Sequence, residues 1–239
     1  MTPRGTARSS LIASAIDLIA ARGVNAVGVD AIAGQAGTTK RTLYLHFPGK
    51  DALVAEALTV RSAGWHDQLT AAVSARAADP EGQLLAVFDL LSEAASGPGY
   101  RGCMFVNAAA DLPDPDHPAR PVASLHKRRL LDFITTRTAA MGVRDPEALA
   151  RQLKVLMEGA VATALVDPGP QPARDARAAA VVLIAAAQVH SAHVEPAHVK
   201  PAHVEPARVK AARVKAARVK AARVKAARVK AARVKKGTS

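Results

Sequence analysis

The sequence predicts an all-α fold. Hydrophobic residues make up 49% of the 239 residues but aromatic residues only 3%, so the core must consist mainly of Ala, Leu and Val. Ala and Leu are among the strongest helix formers. Through the first 190 residues apolar side chains recur at helical spacing, and clusters of Asp, Pro and Gly separate these stretches. A chain of this length can bury a sizeable core.

Nine helices are expected along this part of the chain. The first covers 8–22, where Leu11, Ala15 and Ile19 share a face and Gly23 ends the helix in the C′ position. The others are predicted at 29–36, 39–46, 50–78, 81–95, 103–110, 119–141, 146–166 and 173–189. The breakers between the later ones are Asp79-Pro80, Gly97-Pro98-Gly99, Pro113-Asp114-Pro115-Asp116, Asp145-Pro146 and Asp167-Pro168-Gly169-Pro170.

The segment 28–47 has the spacing of a helix-turn-helix. Ala33 is small enough for a second helix to cross close to the first, and Gly37, four residues later, can supply the positive φ of a tight turn. Leu43, six residues after Gly37, would turn inward, and Thr39 can cap the second helix. An ordinary pair of amphipathic helices joined by a glycine turn has the same spacing and stays open as the alternative.

The outward face of the predicted second helix is rich in cations and hydrogen-bond donors. It carries Lys40, Arg41, Thr42, Tyr44 and His46, and Lys50 follows at the start of the next helix. Such side chains suit base edges and phosphates. Double-stranded DNA is therefore the first predicted partner.

The run Leu43-Tyr44-Leu45-His46-Phe47, followed by Lys50 and Leu53, resembles the Y-x-H-F-x-x-K-x-x-L signature of TetR-family transcriptional repressors. The resemblance extends from about Arg8 to Leu58. It implies a three-helix DNA-binding domain at 1–49 and a helical ligand-binding and dimerisation domain at 50–190, whose last two helices form a dimeric four-helix bundle. Thr38 stands where the family usually has Val, and Gly28 precedes the motif where Ser or Thr is usual.

The same resemblance implies a set of DNA-contacting positions. They are Thr38, Thr39, Lys40, Arg41, Thr42, Tyr44, His46 and Lys50. Lys40 and Arg41 are expected to reach bases or phosphates, and Tyr44, His46 and Lys50 to anchor the DNA backbone. A homodimer would place two such helices in successive major grooves of an operator.

Residues 100–112, YRGCMFVNAAADL, resemble a G-C-x-x-x-N-A-A-x-E/D stretch in the regulatory domain of some TetR-family members. We expect an apolar cavity for a small-molecule inducer, with one amide to orient the ligand. Its predicted lining is Trp65, Phe88, Met104, Phe105, Asn107 and Met157. The alternative is that these side chains are ordinary core, as most large apolar residues are. Cys103 is interpreted as inert packing rather than a redox sensor.

Enzyme motifs match by letter but not by context. Residues 97–102 satisfy G-x-G-x-x-G but follow a predicted helix rather than a strand. Ser124-Leu125-His126-Lys127 satisfies S-x-x-K without its partner motifs and lies in a basic run interpreted as a solvated face. We therefore predict no catalytic residues, no cofactor and no metal site.

Residues 191–239 hold almost all of the net charge of +13. They contain 14 Lys and Arg against 2 Asp and Glu, whereas residues 1–190 contain 19 against 18. Nine pentads, ending in five copies of AARVK, fill 191–235. Each pentad turns a helix by roughly 140°, so no apolar stripe can form. We expect an arm that is disordered when free and becomes helical when phosphates neutralise it.

The predicted role of this basic tail is nonspecific affinity for DNA. The cations first assigned to it are Arg208, Lys210, Arg213, Lys215, Arg218 and Lys220. No aromatic side chain interleaves them, so base stacking is not expected. A repeat that is merely tolerated is the alternative for the tail. The alternative for the whole protein is an architectural nucleoid-type protein that the tail dominates.

The sequence predicts a cytoplasmic, nucleoid-associated protein without a membrane partner. Cys103 is the only cysteine, so no internal disulfide can form. No signal-type apolar run begins the chain, and no uncharged stretch of about 18 apolar residues occurs. The combined prediction is a homodimeric, sequence-specific repressor that a small-molecule inducer releases from DNA.

Overall fold

A computed structural model describes residues 4–192, with the side chains of 6–189. These residues form nine α-helices and no strand. The helices are α1 Arg4–Arg22, α2 Val29–Gln35, α3 Lys40–His46, α4 Lys50–Arg76, α5 Pro80–Ala95, α6 Met104–Asp111, α7 Ala119–Ala140, α8 Pro146–Val166 and α9 Gln171–Ala192. The predicted all-α fold is confirmed. The predictions for the basic tail lie outside the described residues.

Two of the predicted Asp-Pro breakers start helices. Asp79 caps α5 by accepting from the backbone N–H of Gly82 at 2.8 Å, and Asp145 caps α8 by accepting from that of Ala148 at 2.9 Å. Each cap is followed by proline at the first helical turn, where its missing N–H costs nothing. Cap and proline together fix both helix starts.

The turn between α2 and α3 has the predicted geometry. Gly37 adopts φ 64°, and the N–H of Thr38 donates to the carbonyl of Ala33 at 2.9 Å. Thr39 caps α3, with its hydroxyl accepting from the N–H of Thr42 at 3.2 Å. Leu43 is fully buried, so the opposite face of α3 points outward.

The three N-terminal helices pack on a first core. Its principal side chains are Leu11 of α1, Ile32 of α2, Leu43 of α3 and Phe47 at the end of α3. The rest comes from the start of α4, from α6 and from the start of α7, with Leu53, Val54, Ala57, Leu58, Phe105, Ala108, Ala119 and Ala123. This core therefore crosses the predicted domain boundary at 49/50, which stays a prediction.

A second core joins α5, α8 and α9 to the later parts of α4 and α7. Its largest fully buried side chains are Phe88, Ile134, Leu153 and Ile184. Both α4 and α7 contribute to the two cores, so these long helices run from the helix-turn-helix to the rest of the chain. Among residues 4–192 no helix is long and apolar enough to cross a membrane.

Two glycines of the helix-turn-helix give a matched test of the turn. A Cβ at Gly37 or at Gly34 would meet no atom within 4 Å, but only Gly37 has a positive φ. Gly37→Ala should lower the free energy of unfolding by about 1 kcal/mol through backbone strain. Gly34→Ala should raise it by about 0.5 kcal/mol or more, because alanine favours the helix. Urea denaturation measures both, and equal effects would contradict the turn geometry.

Candidate functional site

The helix α3 presents the predicted DNA face to solvent. Lys40 and Arg41 are exposed, Tyr44 is 50% exposed, and Thr42 and His46 are half-buried. Leu45, at 71% exposure, lies on the same helix. Because Leu43 and Phe47 bury the inner side, this face is free to enter a groove.

Several of the predicted DNA-contacting side chains also hold the motif together. The ammonium of Lys40 lies 3.2 Å from Asp30 Oδ2 and so links α3 to α2. Lys50 Nζ donates to the carbonyl of Val24 at 2.8 Å. An ammonium has three donors, so a phosphate contact by Lys50 is compatible with this bond. The DNA-contacting roles stay predictions.

Asp111, at the end of α6, joins the helix-turn-helix to the following helices. Its Oδ2 accepts from the N–H of Val24 at 2.8 Å, and its carbonyl accepts from Asn25 Nδ2 at 2.7 Å. Gly23, which precedes them at φ 83°, has no room for a side chain: a Cβ there would lie 2.8 Å from Asp111 Oδ2. Sequence reasoning assigned Asp111 no role, although it occupies the final acidic position of the G-C-x-x-x-N-A-A-x-E/D stretch.

A cavity of about 350 Å³ opens beside the start of α6. Five of the six predicted pocket residues line it, namely Trp65, Met104, Phe105, Asn107 and Met157. Phe88 is a correction: its side chain is fully buried in the second core and faces no part of the cavity. Helical spacing alone could not distinguish these two apolar environments.

The side-chain amide of Asn107, predicted to orient a ligand, already forms a hydrogen bond within the cavity wall. Asn107 Nδ2 donates to the carbonyl of Arg101 at 2.7 Å, which ties the loop before α6 to the helix. Polar side chains that the sequence did not assign to the pocket line it as well: Arg61, Tyr100, Arg101, His126, Lys127 and Glu158. Burial, and secondarily Cys103, raises the pKa of the Tyr100 phenol, which therefore stays protonated.

His126 corrects the interpretation of its basic run as a solvated face. The residue is 3% exposed, its ring stacks on Phe105 with centroids 3.6 Å apart, and Trp65 meets it edge-on at 4.9 Å. Its Nδ1 lies 3.0 Å from Ser62 Oγ in a buried hydrogen bond. Burial, reinforced by the nearby His66 and the cations Lys127, Arg61 and Arg129, lowers the pKa of His126 to about 3. The imidazole is therefore neutral near pH 7.

The structure shows no metal centre in the part of the chain that it describes. No three His, Cys, Asp or Glu side chains are placed there to hold an ion. Asp114 Oδ1 accepts from the N–H of Asp116 at 2.9 Å, which is the ordinary turn of an acidic loop. Cys103 is half-buried on the cavity wall, just before α6.

These features define a helix-turn-helix protein with a ligand-sized cavity, and comparisons with known proteins identify its family. A family model described as bacterial regulatory proteins, tetR family, matches residues 11–57. A TetR-family transcriptional regulator from Streptomyces coelicolor, known from a crystal structure, is 32% identical in sequence to this chain. The two structures match with a TM-score of 0.70 over 77% of this chain and 97% of that one. A TetR transcriptional regulator from Streptomyces avermitilis is 30% identical with a TM-score of 0.67, covering 76% and 97%.

A curated relative points the same way. The HTH-type transcriptional regulator YjdC of Escherichia coli (strain K12) is 28% identical over 163 residues, which cover 67% of this chain and 84% of that protein. The chain belongs to the TetR family of bacterial regulatory proteins. It is a DNA-binding transcriptional regulator rather than an enzyme. The alternative of an architectural nucleoid protein is not supported.

The buried imidazole should make stability depend on pH. In the unfolded chain His126 regains a pKa near 6.5, so the unfolded state binds a proton that the folded state rejects between about pH 6.5 and pH 3. Through this interval the free energy of unfolding should fall by up to about 1.4 kcal/mol per pH unit as pH decreases. In His126→Gln this contribution should disappear.

Urea denaturation at pH 7.5, 6.5, 5.5 and 4.5 gives the free energy of unfolding as a function of pH. The contribution of His126 is the difference in slope between the wild-type and His126→Gln proteins. The wild-type protein, measured in the same buffers, is the reference at each pH. A His126→Gln slope equal to that of the wild type would contradict the neutral buried imidazole.

Proposed function

We propose that this protein is a homodimeric transcriptional repressor that a small molecule bound in the cavity releases from operator DNA. The observation that carries the proposal is the position of α6. Met104, Phe105 and Asn107, in its first half, line the cavity, and Asp111, at its end, bonds to the turn after α1. One short helix thus contacts both the ligand site and the DNA-binding unit.

The proposed mechanism is differential binding. In an operator complex the two recognition helices of a dimer occupy major grooves about 34–36 Å apart. A ligand that fits the cavity better when α6 is displaced favours a different position of the helix-turn-helix, because Asp111 moves with α6. Operator affinity then falls by the ratio of the ligand's affinities for the two arrangements.

The outward faces of α8 and α9 support a dimer. Val155, Val166 and Val182 are 70%, 78% and 67% exposed on two helices that pack against each other, and contiguous exposed apolar patches mark interaction sites. Small residues separate them at helical spacing: Gly159 and Ala162 on α8, Ala178 and Ala185 on α9. Such a flat apolar face suits close packing against the same pair of helices of a second copy, which gives a four-helix bundle.

We further propose the division into a DNA-binding domain at 1–49, a regulatory and dimerisation domain at 50–190 and a basic tail at 191–239. The tail's 14 cations support a role in nonspecific DNA affinity. Arg41 and Lys40 are proposed to contact bases or phosphates, and Tyr44, His46 and Lys50 to anchor the backbone. We propose a cytoplasmic, nucleoid-associated location, because the DNA that the protein binds lies in the nucleoid.

Arg41 gives the sharpest test of the DNA face, since it is exposed and forms no ion pair among the described residues. Arg41→Ala should weaken binding to a duplex selected from a random pool by the wild-type protein by about tenfold or more. Fluorescence anisotropy across a salt series measures it. If the contact is to a phosphate, the slope of log affinity against log salt should also become shallower by about 0.9.

The matched control is Arg144→Ala, an exposed arginine between α7 and α8 that should leave DNA binding unchanged. A chain that ends at His193 should still prefer the selected duplex over a scrambled one, with a shallower salt dependence. Loss of that preference with the tail would overturn the specific regulator, and an unchanged slope would overturn the tail's role.

A charged substitution on α9 tests the proposed dimer surface. Val182→Asp should shift the protein from dimer to monomer at micromolar concentration, because a carboxylate would be buried without a partner. Size-exclusion chromatography with light scattering measures the mass. Val60→Asp is the control, since Val60 is 47% exposed on α4, which is not part of the proposed interface of α8 and α9. A Val182→Asp protein that stays dimeric would place the interface elsewhere.

A further inference from the structure

The charges on the cavity wall are unequal. Arg61, Arg101 and Lys127 line it as cations, and Glu158 is the only carboxylate among the described lining residues. His126 adds no charge near pH 7, because burial holds its pKa far below its usual value. The wall therefore carries an excess of positive charge around an otherwise apolar space.

The single carboxylate is already neutralised. Glu158 accepts from Lys127 Nζ at 2.7 Å through both of its oxygens, and Lys154 Nζ lies 3.8 Å from Oε1. By contrast, no ion pair holds Arg61 or Arg101 within residues 4–192. A ligand cation would find no unpaired carboxylate here, whereas the half-buried Arg61 and the exposed Arg101 are left to pair with a ligand anion.

The rest of the wall fits a flat apolar body. Trp65, Phe105 and the His126 ring form one continuous aromatic cluster, and Met104 and Met157 supply adaptable apolar surface. A volume of about 350 Å³ lies at the small end of ligand pockets. A body of one or two rings or a short chain fills such a space.

Resting on the proposed function, in which this cavity is the regulatory site, we infer that its ligand is an apolar carboxylate-type anion whose charged group is bound by Arg61 and Arg101. The guanidinium fork matches a carboxylate through two parallel hydrogen bonds. A neutral apolar ligand would instead bury Arg61 without a partner. The apolar body then lies against Trp65 and Phe105.

The test uses three compounds with one common body: 4-phenylbutyrate, 4-phenylbutanamide and 4-phenylbutylamine. Trp65 is the only tryptophan of the chain and lines the cavity, so its fluorescence on the full-length protein reports binding there directly. The carboxylate should bind about tenfold more tightly than the amide, because hydrogen bonds to a charged group are stronger. The amine should bind most weakly.

Arg61→Met combined with Arg101→Met should remove the preference for the carboxylate while leaving amide binding within about twofold. Arg144→Met, outside the cavity lining, should keep it. Thermal denaturation checks that each variant is folded, and the three-compound series on the wild-type protein tests the inference independently of any variant. Equal binding of carboxylate and amide, or tighter binding of the amine, would overturn it.

Anisotropy with the selected duplex separates this inference from the proposed function. A carboxylate that binds with the expected preference and releases the DNA supports both. If it binds with that preference and leaves the DNA complex intact, the ligand class stands and the proposed release mechanism fails. If no compound changes Trp65 fluorescence, the inferred ligand class is wrong, whatever the protein does on DNA.

Discussion

The attachment of the helix-turn-helix to the rest of the chain is the constraint on which the structure depends. α2 and α3 have seven residues each, far too few to be stable helices on their own in water. They persist because Ile32, Leu43 and Phe47 are buried in a core that α4, α6 and α7 complete. The exposed face of α3 is therefore held rigidly only as long as those helices keep their positions.

Hydrogen bonds fix the position of the helix-turn-helix relative to α4 and α6. Asp111 bonds to the turn after α1 through both its carboxylate and its carbonyl, while Lys50 holds the carbonyl of Val24 from α4. Apolar packing tolerates small sliding motions, but partly buried hydrogen bonds to charged groups are lost steeply with distance. These bonds add specific links between α6 and the helix-turn-helix to the apolar packing of Phe105 and Ala108 in the first core.

The cavity combines a neutral aromatic cluster with unbalanced cations. His126 stays uncharged because it is buried among positive groups, and its hydrogen bond to Ser62 satisfies one ring nitrogen. His66, packed against the same ring, has a lowered pKa through burial, and its Nε2 has no hydrogen-bond partner among the described residues. Protonation of either ring would add charge to a region that already repels it.

The sequence by itself determined the helices, the turn and the outward face of α3, because these follow from local rules. Gly37, Thr39 and the Asp-Pro caps act within a few residues of themselves, and the spacing of Leu43 and Phe47 fixes which side of α3 faces outward. The family signature lies within this same local segment.

Only the tertiary structure decided which side chains meet across the chain. Phe88 and Met157 look alike in sequence and both are buried in the second core, yet only Met157 also lines the cavity, because the packing of the helices leaves a space beside only one of them. His126 lies in a basic run but is buried, since one face of α7 turns toward Ser62 and Phe105. Asp111 and Val24 are 87 residues apart, and no local pattern encodes that contact.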